Sequence, residues 1–375
     1  MKKIYLLPLL LSILISCKPA TEEAKEEEMP AKELTLLVGT YTKRDSEGIY
    51  MYKVNPETGE ARLVAQAKDI EDPSFLAVSP NEKYLYSASE LEGGSLFSYE
   101  IADSSLVFIN ASKTGGVHPC HVAVDKTGNW VFSGNYSDGS LSVLPVTGNG
   151  GLGEAVQVIK HEGSGPNKER QESPHVHSVN VSPNNADIYV PDLGIDKVMA
   201  YRFDEKTGQL TPGNSMGVTP GSGPRHFTFH PSGKYAYVIQ ELMGKVTAYE
   251  YTDNSLKQIQ EISTLPAGFE GKNSSADIHV SPDGKFLYAS NRYHDTIAVF
   301  SVGEDGKLSP VSHHSVMGQM PRNFAITPDG EYLFVANQET DNIVFFKRDT
   351  STGKLEPTGK EIKVSMPVCL LFLKK

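Results

Sequence analysis

The chain has 375 residues, 22% of them charged, with 33 Gly, 23 Pro and a formal net charge of -11. That length admits two average domains or one large β domain, and the Gly and Pro content points to a globular, turn-rich chain. The acidic balance argues against nucleic acid as a partner, and any anionic ligand must be met by a local cluster of Arg or Lys.

In chain order, "MKK" followed by "IYLLPLLLSILIS" reads as the basic and apolar regions of an export signal, too short and too terminal for a stable span. It ends in "LISC", which resembles a bacterial lipobox with Cys17 as the lipidated residue. The acidic stretch that follows lacks aromatics and reads as a solvated tether. The expected organisation is a lipoprotein signal peptide over 1–16, a tether over 17–33 and a folded domain over 34–375. The protein is expected in the cell envelope, touching the membrane only through its N-terminal lipid. Cys120 and Cys369 lie in apolar runs far apart in sequence, so buried thiols are expected and no disulfide.

From residue 34 onward the chain repeats. "PSFLAVSPNEKYLYSASE", "PCHVAVDKTGNWVFSGNY", "VHSVNVSPNNADIYVPDL", "PRHFTFHPSGKYAYVIQE", "SADIHVSPDGKFLYASNR" and "PRNFAITPDGEYLFVANQ" share a short strand, a tight polar turn and an aromatic-rich strand. A third strand follows a break ("KVMAYRF", "TIAVFSV"), and a weaker fourth follows a "TGxL"-like turn ("DEKTGQL", "DTSTGKL"). Helical periodicity is absent, and this period suits four-stranded propeller blades. Six copies are complete. "LTLLVGTY" and "GIYMYKV" at the start lack a first strand, and "MPVCLLFLKK" at the end supplies one. The expected fold is all-β, a seven-bladed propeller closed by a blade shared between the termini. Two separate β-sandwiches would leave those half-repeats unexplained.

In such a blade the first turn ("SPDG", "HPSG", "TPDG") faces one side of the disc and carries ordinary turn chemistry. The unusual residues fall on the other side. The second strands end in Thr40, Ser89, Asn135, Asp192, Gln240, Asn291 and Asn337, all polar and most expected to cap the turn. The next column, Tyr41, Glu90, Tyr136, Leu193, Glu241, Arg292 and Gln338, varies as a ligand-reading surface should. The segments leading into the blades bring His118, His121, His175, His177, Arg225, His226, Asp277, His279, Arg322 and Asn323 to the same mouth, joined by His294.

Those residues form no Ser-His-Asp or Cys-His nucleophile set. His177, His226, Asp277 and His279 are a conceivable metal group without tight spacing, and neither metal nor other cofactor is expected. Arginines suit a carboxylate or phosphate, a His or Glu can take a proton from water, and a neighbouring Arg can stabilise an oxyanion. Such a set could hydrolyse a cyclic ester of an acidic sugar, or merely bind an anion.

The stretches "LLVGTYTKRDSEGIYMYKVNPETGE", "HPCHVAVDKTGNWVFSGNYSDGSLSVLPV", "PHVHSVNVSPNNADIYVPDLGIDKVMAYRFD", "GPRHFTFHPSGKYAYVIQELMGKVTAYEY" and "SADIHVSPDGKFLYASNRYHDTIAVFSV" resemble the lactonase family of seven-bladed propellers. That family includes the propeller-type 6-phosphogluconolactonase and the fungal carboxymuconate cyclase. The resemblance implies opening of a sugar lactone, 6-phosphogluconolactone to 6-phosphogluconate, or the reverse reaction, without a nucleotide cofactor. The expected partner is a small anionic lactone, and the expected state a monomer. The resemblance places the catalytic set at His177, Glu241, Arg225 and Arg292, with His177 or Glu241 moving the proton. Arg322, His226, Asn291, His294, His121 and His279 follow as binding candidates. An export signal sits awkwardly with a cytosolic sugar phosphate. The alternatives are a non-catalytic binding propeller outside the inner membrane and a muconate-type cycloisomerase.

Overall fold

In the computed structural model, residues 1–3 and 33–374 are described. Cys17 and almost all of the signal and tether regions lie outside the described residues. The folded part is built from seven antiparallel sheets with no α-helix among the described residues. Blade 1 is the shared one: Pro367–Phe372 pairs with Leu34–Thr40, followed by Ile49–Val54 and Ala61–Ala67. Blades 2 and 3 begin at Pro73–Val78 and Pro119–Val124, blades 5, 6 and 7 at Pro224–Phe229, Ser274–Val280 and Pro321–Ile326. These first strands contact one another from blade to blade and line the central channel. The propeller and its closure agree with the sequence expectation, and two sandwiches are not what forms.

Blade 4 departs from the pattern. Its first strand is reduced to Asn180–Val181, with an isolated bridge from Val176 to Asp192, and its outer edge is split into Leu210–Pro212 and Met216–Gly217. Pro212 has no amide to continue a ladder, and Gly213 turns back to the Ala200 carbonyl instead.

Apolar side chains fill the space between blades. Tyr237, Ile239, Val246 and Ala248 of blade 5 meet Ile278, Leu287, Ala289 and Phe300 of blade 6, all buried. Each such large side chain contributes roughly 1.5–3 kcal/mol on burial. The repeated "TGxL" turn has a packing reason. A Cβ on Gly306 would fall 2.2 Å from the Tyr235 ring of the preceding blade, and one on Gly353 2.3 Å from Phe286. Both glycines also have positive φ, so the ring of one blade rests on bare backbone of the next. Cys120 and Cys369 are buried and unbridged.

Candidate active site

The site is made by irregularity at one end of the inner strands. Pairing skips from Pro73 to Phe75, Pro119 to His121, Pro224 to Phe227, Ser275 to Ile278 and Pro321 to Asn323. The residues in these gaps are Ser74, Cys120, Arg225, His226, Ala276, Asp277 and Arg322. A bulge adds a residue to one strand and re-aims its side chain. Here it happens repeatedly at the same height, so the side chains converge on the channel.

Glu241, just past the second strand of blade 5, is the centre of a guanidinium cluster. Its Oε2 lies 2.9 Å from Arg225 Nε and 2.9 Å from Arg292 Nη2. Its Oε1 accepts a hydrogen bond from Arg170 Nη2 at 2.7 Å, and Arg170 also donates to Tyr136 Oη at 3.3 Å. Backbone carbonyls fix the two deeper arginines. Arg225 Nη1 donates to Ala276 O at 2.6 Å, a carbonyl freed by the blade 6 bulge, and Arg292 Nε donates to Ser274 O at 3.1 Å. Arg225 Nε touches Glu241 without pointing its hydrogen at the oxygen, so this buried donor has no hydrogen-bond partner.

Beside the cluster three imidazoles pack edge to face: His226 lies 5.6 Å from His177 and 5.7 Å from His121, ring centre to ring centre. Arginine can only donate, so the 3.1 Å contact from Arg225 Nη1 makes His226 Nε2 the acceptor. His226 Nδ1 then donates to Asp277 Oδ1 at 2.7 Å. Asp277 Oδ2 accepts from Asn323 Nδ2 at 2.6 Å and from His279 Nε2 at 2.9 Å. His121 is held by a 4.0 Å stack on Phe75 and accepts from Val179 N at 3.3 Å. His177 Nε2 stands 3.9 Å from Glu241 Oε2, too far for a hydrogen bond, with Nδ1 3.8 Å from Cys120 Sγ.

Arg322 differs from the other arginines. Its guanidinium lies over the Tyr41 ring at 5.3 Å, and among the described residues it makes no hydrogen bond or salt bridge. It lines a small cavity with Ser74, Glu90, Cys120, Arg225 and His226. Ser74 Oγ is buried there without a partner, and Glu90 accepts from Tyr41 Oη at 2.9 Å. The cavity measures about 10 Å³, room for about one water.

The other candidates lie elsewhere. Asn291 is buried inside blade 6, its Oδ1 accepting from Thr264 and Ser275 hydroxyls at 2.7 Å each and its Nδ2 donating to Thr264 O. His294 bonds Thr296 Oγ1 and stacks edge-on with Phe269, outside the cluster. His279 is not at the mouth. It sits far along its strand, 42% exposed, and lines a cavity of about 640 Å³ with Pro282 and Pro328 of the first turns. At about 3.3 Å per residue, five residues from Ser274 carry it roughly 16 Å to the opposite end of the channel. His118 bonds Ser137, and His175 stacks on Tyr136 at 4.4 Å. Sequence reasoning missed Arg170, which rides on the 161–174 connection between blades 3 and 4 and belongs to no repeat column. The one signal was the length of that connection.

Burial and charge set the protonation states. Burial alone would raise the Glu241 carboxyl, but Arg292, Arg225 and Arg170 hold it well below the usual carboxylate range. Each contact near 3 Å supplies roughly 5 kcal/mol at an effective dielectric near 20, against several kcal/mol to desolvate one carboxylate, so three pairs win. Burial, reinforced by Arg225, brings His226 down to about 4 and holds His177 well below the ordinary histidine value. Arg225 itself is brought down to about 9 by burial beside Arg292 and Arg322. At neutral pH the site therefore joins uncharged imidazoles to charged guanidiniums. Such a set can take a proton from water and stabilise a developing oxyanion. Among the described residues no group of three His, Cys, Asp or Glu is arranged to hold a metal ion.

Comparison with known proteins matches this architecture. Residues 35–372 match the family described as "Lactonase, 7-bladed beta-propeller". A 6-phosphogluconolactonase of Bacillus subtilis is 40% identical over 342 residues, 90% of this chain and 97% of that one. A 6-phosphogluconolactonase of Formosa agariphila is also 40% identical, over 88% of this chain and 97% of its own. The solved structure of a periplasmic gluconolactonase from Pseudomonas aeruginosa superposes with a TM-score of 0.87 at 34% identity, covering 91% of this chain and 99% of that one. With a ring of seven blades and a match over nearly its whole folded length, the chain belongs to the family of seven-bladed β-propeller lactonases.

Proposed function

We propose that the protein hydrolyses a sugar lactone that carries an anionic group, with 6-phosphogluconolactone as the first candidate. The observation that carries this reading is the charge of the site. Four guanidiniums, Arg170, Arg225, Arg292 and Arg322, face the carboxylates of Glu241 and Glu90. That is a formal surplus of two positive charges, or one if Asp277 is counted, within a chain of net charge -11. Arg322 is half-buried and makes no hydrogen bond or salt bridge among the described residues, so an anionic ligand can complete it. A phosphate or carboxylate substituent does so.

In the proposed reaction water attacks the lactone carbonyl carbon while neutral His177 accepts the water proton. Arg225, whose Nε–H is unpartnered, and Arg322 stabilise the oxyanion. The ring C–O bond then breaks, the leaving oxygen takes the proton back from His177, and the new carboxylic acid ionises at neutral pH. Glu241 is a poor base because the arginines bind its ionised form, so its role is to hold Arg225 and Arg292 in place. An extracytoplasmic location follows from the export-signal reading and is supported by the periplasmic relative.

The test follows acid release by the purified protein from 6-phosphogluconolactone and glucono-1,5-lactone, with ring closure of a carboxymuconate as a control. His177→Ala is expected to lower kcat/KM by roughly 10²–10⁴-fold, the usual contribution of a positioned base. Release of acid only at the spontaneous rate from both lactones would sink the proposal.

A further inference from the structure

We infer that Arg170 is a movable gate that selects lactones bearing an anionic substituent, exchanging its bond to Glu241 for one to the substrate. The inference rests on the lactonase reading and goes beyond it by naming the residue that reads the charge.

The cavity that reaches Arg225, His226 and Arg322 holds about 10 Å³, room for about one water and none for a sugar ring, and neither Glu241 nor Arg170 lines it. A lactone that is to touch Arg225 therefore needs a side chain of the cluster to move. The deeper groups are poor candidates. The side chains of Arg225, Glu241 and Arg292 are 2%, 3% and 8% exposed, and backbone carbonyls pin both arginines. Arg170 is 39% exposed and held only by Glu241 Oε1 and Tyr136 Oη. Its release costs Glu241 one partner of three and leaves no backbone group unpaired.

The connection that carries Arg170 is anchored on either side, so the guanidinium can swing without the loop unfolding. Before it, His161 is buried between Asp192 Oδ2, at 2.6 Å, and Tyr201 Oη, at 2.8 Å. Directly after it, Gln171 is fully buried and donates to Leu193 O at 2.8 Å and Asp196 Oδ1 at 2.7 Å. Glu172 reaches His175 at 3.3 Å. A neutral lactone offers Arg170 nothing to replace Glu241, whereas a phosphate monoester or carboxylate offers a bidentate acceptor. Differential affinity of this kind is what a ligand needs to shift the equilibrium toward an open state.

The experiment compares wild type, Arg170→Gln and Arg170→Lys on 6-phosphogluconolactone and glucono-1,5-lactone, and measures binding of the product 6-phosphogluconate by calorimetry. The ratio of kcat/KM for the phosphorylated over the neutral lactone is expected to fall roughly 10–100-fold in Arg170→Gln, mostly through KM, as expected for loss of a charge-assisted pair. Arg170→Lys should restore part of that ratio, and product binding should weaken at least roughly tenfold in Arg170→Gln. Equal losses on both lactones would make Arg170 a positioner of Glu241 and overturn the inference, as would unchanged product binding. If wild type opens neither lactone while Arg170→Gln still weakens 6-phosphogluconate binding, the anion-reading role stands and the lactonase reading falls.

Discussion

His177 and His226 are held uncharged at neutral pH, the state that the proposed base requires. His226 faces Arg225, His177, His121 and Asp277, and burial with the Arg225 charge brings it down to about 4. An ordinary histidine base would give a kcat/KM profile that bends near pH 6.5. Burial and the Arg225 charge hold His177 well below that value, so with the uncharged glucono-1,5-lactone the profile should run through pH 6.5 without a bend, read by indicator or pH-stat at low buffer, and a bend at 6.5 would rule out His177 as the base. Stability follows the same sign. Because the folded value of His226 is depressed, its contribution of about 3 kcal/mol is complete above pH 6.5 and lost as pH falls from 6.5 to 4. Neighbours in sequence can have unlike roles. Arg292 belongs to the cluster, while Asn291 is spent on Thr264 and Ser275. Asn291→Ala should cost roughly 1–3 kcal/mol in urea unfolding by stranding two buried hydroxyls, with activity per folded molecule down less than about tenfold. The two residues stand in adjacent columns of the repeat, and only the direction of the strand's last side chain separates them. That direction depends on pairing with Ser274 and Ser275, which the one-dimensional pattern does not carry.

Strands were legible because three signals coincide in them: alternation, a tight polar turn and a second strand rich in β-branched and aromatic residues. Bulges were not. An inserted residue breaks the alternation for a single step, and in "GPRHF" or "SADIH" that step reads like noise. Yet the bulges decide the site, because they turn Arg225, His226, Asp277 and Arg322 into the channel and free Ala276 O to hold Arg225. The same irregularity stitches elements together. Asp277 of blade 6 accepts from His226 of blade 5 and Asn323 of blade 7, and Asn323 Oδ1 accepts from Leu370 N of blade 1. Burial opposes the charge on Asp277, but His279 and His226 outweigh it and keep the carboxyl well below its usual range. Asp277→Asn would place an amide donor among four donors, His226, His279, Asn323 and the Phe324 backbone N–H, so a loss of roughly 3–5 kcal/mol is expected, the range for breaking a buried charged pair. Denaturant unfolding measures it, and an unchanged midpoint would show that the hub carries no load.

The cluster exists only because the ring is closed. Glu241 belongs to blade 5, Arg292 to blade 6, Arg170 to the connection between blades 3 and 4, and Arg322 to blade 7, beside Tyr41 of blade 1. Closure itself rests on Pro367–Phe372, which pairs with Leu34–Thr40 and packs Cys369 and Leu370 into the cores on either side. A chain ending at residue 366 would expose Leu36 to Thr40 as an open edge and lose the Leu370 bond to Asn323. It should fail to fold cooperatively and should aggregate. That outcome alone would not separate loss of closure from loss of a strand's worth of core. A circular permutant separates them. Leu373 N already donates to Thr35 O at 3.0 Å, so a few-residue linker can join residues 374 and 33, and the exposed turn at Gly148 can be opened. If closure by pairing is what matters, the permutant keeps every blade, melts within roughly 5 °C of the parent and retains its lactone hydrolysis. A permutant that folds but no longer binds 6-phosphogluconate as the parent does would mean that strain held in the shared blade, rather than the pairing, sets the guanidinium geometry.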